Sequence, residues 1–437
     1  MKQTKLSDKI FISIASYRDP ELIPTIVDCI EKSDKKSRLH FGICLQDSKE
    51  ILYKIKHIKK TYNVNFSIDF HNWRDSNGTC WARYNVQQKL YNGEKYYLQL
   101  DSHHRFIPQW DSVLIDLLQN KQNDGSHKPI IGGYCPSYRL DGTCDDGVIQ
   151  INSYDTFTED GDIVFRPITI RQASSLISSG LITVPARFLS GHFIFTLGEF
   201  CKECLYDPNL YFRGEEISLS ARAYTHGYDF YHPLFPIIWH FYLRPNEHKH
   251  WDNHQNGNGF MISAEKRGVR AKERIRKLLG IEPNDINFGI YDLGKTRSLH
   301  EYEKYCGVSF KDKDIHKYAF NPRNDAPFAY IMSDEEWSNN MLLKKKIMVK
   351  FDKFFLTYIN PDIEFITLCI EDNANKLLFR KDLKDYDIVS IIKNNLIWQQ
   401  NIGIEKLPHH AVIIPYYKSS GYGKRTTIDS IDYYDSN

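Results

Sequence analysis

The first 120 residues alternate apolar runs with segments of helical spacing, and no other feature restricts the fold as much. Residues 11–15 form a strand-like run that ends in Ser16, Tyr17, Arg18, Asp19 and Pro20, after which Leu22, Ile26 and Ile30 recur at helical spacing. A second run covers 39–45, and Val64, Phe66, Ile68 and Phe70 alternate as a third strand. Thr79 is expected to cap a helix that carries Trp81, Tyr84 and Leu90 and ends near Gly93, ahead of a strand over 96–100. Strands joined by helices make a mostly parallel sheet, and ligands of such sheets bind beyond the carboxyl ends of the strands. Residues 16–19 and 101–105 lie at such ends.

The middle third is less regular. Asp160-Gly161 sits between alternating residues and signals a hairpin. The stretch from Asp141 to Gly147 has calcium-loop character, but its twelfth position is Asn152 rather than a bidentate Glu, so it reads as a turn. After about residue 330 strand patterning takes over: Ile347, Val349 and Phe351 alternate, 363–370 is a further run, and 372–375 is a turn. His409-His410, after Pro408, reads as a solvated loop pair. The expected organisation is an α/β domain over 1–330 and an accessory antiparallel β module over 335–437.

Hydrophobic residues are 41% and aromatics 14% of 437 residues, which excludes disorder and allows ample core. Lys plus Arg is 57 against 55 for Asp plus Glu, a net charge of +2, so no field of one sign marks a sequence-independent nucleic-acid binder. The first ten residues are charged and polar and run straight into a strand, so no secretory signal is expected. No window approaches the ~18 apolar residues of a membrane-spanning helix, so no integral membrane association is expected. Nine cysteines scattered from Cys29 to Cys369 suit reduced thiols in a cytoplasmic chain. Cys201 and Cys204 have zinc half-site spacing, yet without a second such pair they read as structural thiols.

The chemical signal is YYLQLDSHHRF, where a buried strand delivers Asp101 and His103 to the sheet's edge. One carboxylate oxygen and one imidazole nitrogen facing a common point suit a divalent cation, although an Asp ending a strand also commonly caps a turn. His240, in PIIWHFY, is a candidate third ligand or a core histidine. At Gly191 a small Ser-Gly pair precedes a β run and lets a ligand approach the main chain. Glu215 and Glu216 open a helix, where acidic residues are ordinarily dipole and capping partners.

Taken together, SIASYRDP, GTCWAR, LQLDSHHRF, SGHFIF, FRGEEISLS, a later His and HEYEKYCGVSFKDK resemble the hydroxyproline-modifying polypeptide N-acetylglucosaminyltransferases of glycosyltransferase family sixty, over roughly residues 8 to 320. The resemblance implies a GT-A fold, a Rossmann-like mixed sheet that binds a nucleotide sugar. It also implies a UDP-sugar donor, most readily UDP-GlcNAc, a protein or glycan hydroxyl as acceptor, Mn2+ or another divalent cation such as Mg2+, and retention of anomeric configuration. Carried over by residue, Asp101, His103 and His240 are the metal ligands. Ala15, Ser16, Tyr17, Arg18, Arg83, Ser102, Gly191 and His192 bind the donor, and Asp101, His103, Glu215 and Glu216 are the catalytic set. His192 departs from the second glycine common in the polypeptide N-acetylgalactosaminyltransferases. No match is recognised after about residue 330.

A diphosphate leaving group explains the residue types, because a divalent ion on oxygen and imidazole ligands neutralises the charge that develops on it. Arg83 and Arg105 are each candidates for phosphate or for a local carboxylate. Tyr17, Trp73 and Trp81 are candidates to stack on base or sugar, with core packing as the alternative. A non-heme iron oxygenase would also use two His and one carboxylate, but in the order H-x-D rather than D-x-H. A noncatalytic carbohydrate-binding protein of the same fold is a third reading.

Overall fold

The computed structural model describes residues 8–145, 148–158, 162–242, 247–254, 263–317, 319, 328–358, 360–404 and 406–435. Backbone contacts divide the chain into two units. The first comprises Met1–Cys306, Phe310–Lys313 and Asp325–Ile331, and the second Gly307–Ser309, Asp314–Asn324 and Met332–Asn437.

Strands of the first unit are β1 (Ile10–Tyr17), β2 (Leu39–Gln46), β3 (Asn65–His71), β4 (Tyr96–Leu100), β5 (His104–Phe106), β6 (Pro129–Gly132), β7 (Gln150–Phe157), β8 (Ile163–Thr169), β9 (Thr183–Pro185), β10 (Phe193–Leu197), β11 (Asp229–Pro233) and β12 (Ile238–His240). Among the described residues, eight of them form one sheet in the order β3, β2, β1, β4, β10, β6, β11, β9. The pairs β2/β3, β1/β2 and β1/β4 are parallel, as expected of strands joined by helices. Every residue of β2 is buried, including the polar His40 and Gln46. The helix Leu22–Glu31 packs on this sheet through Leu22, Ile26 and Ile30, each at most 1% exposed and each contributing roughly 1.5–3 kcal/mol by its burial. The architecture has the expected α/β class.

Two sequence expectations are refined. Thr79 is the first residue of the helix Thr79–Leu90 rather than its cap, because Gly78 takes the cap position at φ +103°, and a Cβ there would meet the Tyr211 ring at 2.6 Å. Strands β7 and β8 pair antiparallel as a separate ribbon, while Asp160-Gly161 lies outside the described residues, as does Gly147. Residues 139–143 form a turn that overlaps the start of the expected one over 141–147, with Gly142 N–H donating to the Arg139 carbonyl at 2.9 Å.

The second unit is built from antiparallel sheets. The strand Leu343–Lys350 lies between Ile397–Ile404 and Ile431–Asp435, and Ile363–Glu371 lies between Leu377–Leu383 and His410–Tyr417. A helix, Asp385–Lys393, interrupts the strand patterning. His409-His410 is not a solvated loop pair: His410 opens a strand at 7% exposed and its Nε2 lies 3.2 Å from Glu371 Oε2. The neighbouring strand presents that carboxylate, which the sequence spacing does not reveal.

Candidate active site

A cavity of about 790 Å3 opens at the carboxyl ends of β1, β2 and β4. Three backbone features build its centre. Strand β4 ends at Leu100 and releases Asp101 and His103. Strand β10 runs antiparallel to β4 with Phe193 opposite Leu100, which returns Gly191 and His192 to the same edge. The three-residue pairing of β12 with β5 sets His240 opposite His104, beside His103. Residues 137 positions apart therefore meet through two short ladders.

Asp101, His103 and His240 each offer a ligand atom, and these atoms lie within 4.8 Å of one another. Asp101 Oδ2 is 3.2 Å from His240 Nε2 and 3.8 Å from His103 Nε2. The remaining atoms are held from behind. His103 Nδ1 donates to Asp19 Oδ2 at 2.7 Å, the same oxygen that accepts from Ser102 Oγ at 2.5 Å. Arg83 Nη2 donates to Asp101 Oδ1 at 2.6 Å. This carboxylate–histidine–site arrangement fixes a ring nitrogen toward the cluster, and the oxygen and imidazole donors fit a hard to borderline divalent cation. Burial alone would raise the Asp101 pKa, but the His240 hydrogen bond and the Arg83 charge hold it well below the ordinary carboxylate range. The ligand oxygen is thus ionised at neutral pH.

The opposite wall is the start of the helix Glu215–Thr225. Gly191 N–H donates to Glu216 Oε1 at 2.9 Å, and its carbonyl accepts from Gln99 Nε2 at 2.6 Å. A Cβ on Gly191 would stand 2.5 Å from Glu215 Oε1, so a larger residue there would displace that carboxylate from its place beside the strand end. Burial raises the Glu215 pKa, with Arg83 opposing. Burial pushes Glu216 up to about 7, with the Gly191 N–H opposing and the Glu215 charge adding to the rise. Cys80 Sγ donates to Glu215 Oε2 at 3.3 Å, and Arg83 Nε is 4.0 Å from the same oxygen. Arg83, fully buried, therefore bridges the ligand Asp101 and the helix-start Glu215.

Ala15, Tyr17, Arg83, Ser102, Gly191, His192, Glu215, Glu216 and the three candidate ligands all line the cavity. Ser16 and Arg18 do not. Ser16 is fully buried within β1, and Arg18 adopts φ +47° and lays its guanidinium 4.3 Å from the Trp73 ring centre. Arg105 is likewise outside the cavity, paired with Glu21 at 2.6 Å, and Trp73 and Trp81 are not part of its lining. His104 is structural, bonded through Nδ1 to the Trp239 carbonyl at 3.0 Å.

Sequence reasoning placed Asp19 at a ligand-binding strand end but missed its bond to His103, and it missed a second wall. Thr79 Oγ1 lies 3.0 Å from His250 Nε2, His250 Nδ1 lies 2.9 Å from the Tyr211 hydroxyl, and that hydroxyl lies 2.8 Å from His254 Nδ1. Burial lowers the His250 pKa to about 3, so the network is neutral. Tyr17 joins this wall through its hydroxyl, which donates to Asn253 Oδ1 at 2.8 Å. The available signals were Asp-Pro directly after the first strand and the histidine-rich segment HKHWDNH.

The glycosyltransferase (GlcNAc) family model matches residues 9–55 and 52–312. The chain belongs to this glycosyltransferase family. Membership sets aside the oxygenase reading, and the mixed α/β sheet is in keeping with it. No curated protein sequence matches the chain. Solved structures similar to this chain include GalNAc-T7 with UDP, GalNAc and Mn2+, at 13% identity and a TM-score of 0.45 over 62% of this chain and 48% of that one. They also include S. aureus TarS 1–349, at 12% identity and 0.33 over 52% of this chain and 60% of that one, and the same protein in complex with UDP, at 12% and 0.32 over 51% and 60%. The chain thus spans about half the length of the first and three-fifths of the others. Among the described residues, no helix is long and apolar enough to cross a membrane.

Proposed function

We propose that this chain is a metal-dependent, retaining glycosyltransferase that moves a sugar, GlcNAc in the first instance, from a UDP-sugar to a hydroxyl of a protein or glycan. Its finer kinship is with the hydroxyproline-modifying polypeptide N-acetylglucosaminyltransferases of family sixty. One observation carries the reading: Asp101, His103 and His240 converge on the cavity whose other wall is Gly191 with Glu215 and Glu216. The first three residues would hold Mn2+ or Mg2+, which when bound neutralises charge on the departing diphosphate.

The remaining steps belong to the protein's own groups. Ala15 and Tyr17 border the space for uridine, with Ser16 and Arg18 shaping the β1 end behind them. Gly191 lets the donor sugar pass close to the main chain, and Glu215 and Glu216 accept hydrogen bonds from its hydroxyls. Arg83, charged and buried, keeps Asp101 ionised and aimed at the cluster. His192 supplies a side chain at the sugar end, beside His240. A front-face displacement, in which the acceptor attacks on the side the diphosphate leaves, retains configuration and requires no protein nucleophile.

Residues 1–330 are the catalytic domain in this reading, and 335–437 an accessory module. All nine cysteines are free thiols, which supports a reducing, cytoplasmic setting. The deciding experiment is a panel of UDP-sugars with Mn2+, since slow donor hydrolysis requires no knowledge of the acceptor. UDP release greatest from UDP-GlcNAc supports the reading. Metal-dependent UDP binding without release from any UDP-sugar points to a noncatalytic binding protein and contradicts it.

A further inference from the structure

A second cluster lies at the edge of the eight-stranded sheet, outside the cavity. Cys44 on β2 and Asp69 and His71 on β3 each present a ligand atom, all within 4.8 Å of one another. The parallel register explains the meeting: Cys44 is opposite Asp69 and Gln46 opposite His71, and the two-residue repeat of a strand points all three side chains to one face. The cluster is buried below and partly exposed above. Cys44 is fully buried, whereas the Asp69 and His71 side chains are 17% and 23% exposed, which leaves an entry path.

The order Cys, His, Asp superficially fits a nucleophile with its base, but burial pushes the Cys44 thiol far above its ordinary pKa, and a buried thiol of that kind is inert. A cation reverses the argument, because binding displaces the thiol proton to solvent and leaves a thiolate. The surroundings are prepared for that charge. The Asn85 carboxamide sits beside Cys44 and favours its thiolate form, and Asn85 Nδ2 is buried without a hydrogen-bond partner. An unmet buried donor is costly, and a thiolate would satisfy it. Lys89 Nζ, 3.1 and 3.3 Å from the Asp69 oxygens, belongs to a side chain that is 46% exposed and free to turn to solvent when a cation takes its place.

We propose that Cys44, Asp69 and His71 bind a zinc-like divalent cation and clamp the edge strand β3 to β2. The sulfur, nitrogen and oxygen donor set matches Zn2+ rather than the harder ion suited to the cavity. The clamp has a structural purpose, because among the described residues β3 pairs only with β2, and none of its residues is fully buried.

The test is absorption spectroscopy of the full-length Asp101→Ala protein titrated with Co2+, since a thiolate ligand gives a sulfur-to-cobalt charge-transfer band and the cavity cluster contains no sulfur. One Co2+ should bind with that band and be displaced by Zn2+. Adding Cys44→Ser should abolish the band. Adding His71→Ala, at a partly exposed position that keeps the fold, should weaken Co2+ binding more than about 100-fold, beyond the loss typical of an outer-shell partner. No band, or a band undiminished by either substitution, overturns the proposal and leaves the glycosyltransferase reading untouched.

Discussion

Asp19 Oδ2 accepts from His103 Nδ1 at 2.7 Å, so a carboxylate at the end of the first strand fixes the ring of a histidine 84 residues later. The contact joins the β1 end, where a uridine would sit, to the candidate metal cluster. Asp19→Asn keeps the shape but removes the charge that orients and strengthens His103. Mn2+ affinity should fall about 10- to 100-fold with little change in melting temperature. Calorimetry of Mn2+ binding in the presence of UDP measures this, and unchanged affinity would show that Asp19 is only a turn residue.

Glu216 gives a pH signature. Its folded pKa of about 7 lies above the ordinary 4.5, so the folded state binds a proton more tightly than the unfolded state. The stability it contributes is complete below about pH 4.5 and is lost as pH rises to about 7, with roughly 3 kcal/mol as the upper limit for such a shift. Glu216→Gln should flatten that fall in urea midpoints across the window and still accept the Gly191 N–H. An unaltered slope would contradict the assignment.

Gly191→Ala drives a methyl toward Glu215 Oε1, 2.5 Å from the ideal Cβ position. We expect the protein to fold with a loss of about 1–3 kcal/mol and donor hydrolysis to fall more than ten-fold, because the carboxylate must leave the sugar wall. Melting curves beside hydrolysis rates separate the two effects. Full activity would remove Gly191 from the donor path.

A chain ending at residue 334 should largely retain metal-dependent UDP-sugar hydrolysis while acceptor use or assembly weakens. A folded truncated protein that no longer binds UDP would contradict the accessory role of residues 335–437.

Much of the site was legible because its parts sit at strand ends. The apolar runs of β1, β2 and β4 announce themselves by length, and Asp101 and His103 follow directly from the last of them. What stayed hidden depends on pairing between distant, very short elements. Strand β12 has three residues, too few for a period, so nothing local distinguishes His240 as a ligand from a core histidine. The same holds for the bond from Thr79 to His250, 171 residues apart, and for His410, whose partner Glu371 lies on the adjacent strand. Arg18 was legible as a residue near the site, but its positive φ, which turns it onto Trp73, was not.

The central claim is that Asp101, His103 and His240 hold one divalent ion that engages the donor diphosphate. Calorimetric titration of UDP with and without Mn2+, beside a melting curve for each protein, tests it most directly. The account predicts tight UDP binding only with Mn2+ in the wild type, its loss in Asp101→Ala and His103→Ala, and nearly as large a loss in His240→Ala, with each variant still folded. A His240→Ala variant that loses about 1 kcal/mol or more of stability yet binds Mn2+ and UDP normally would reduce His240 to a core residue. Undiminished metal-dependent UDP binding in Asp101→Ala would contradict the site altogether.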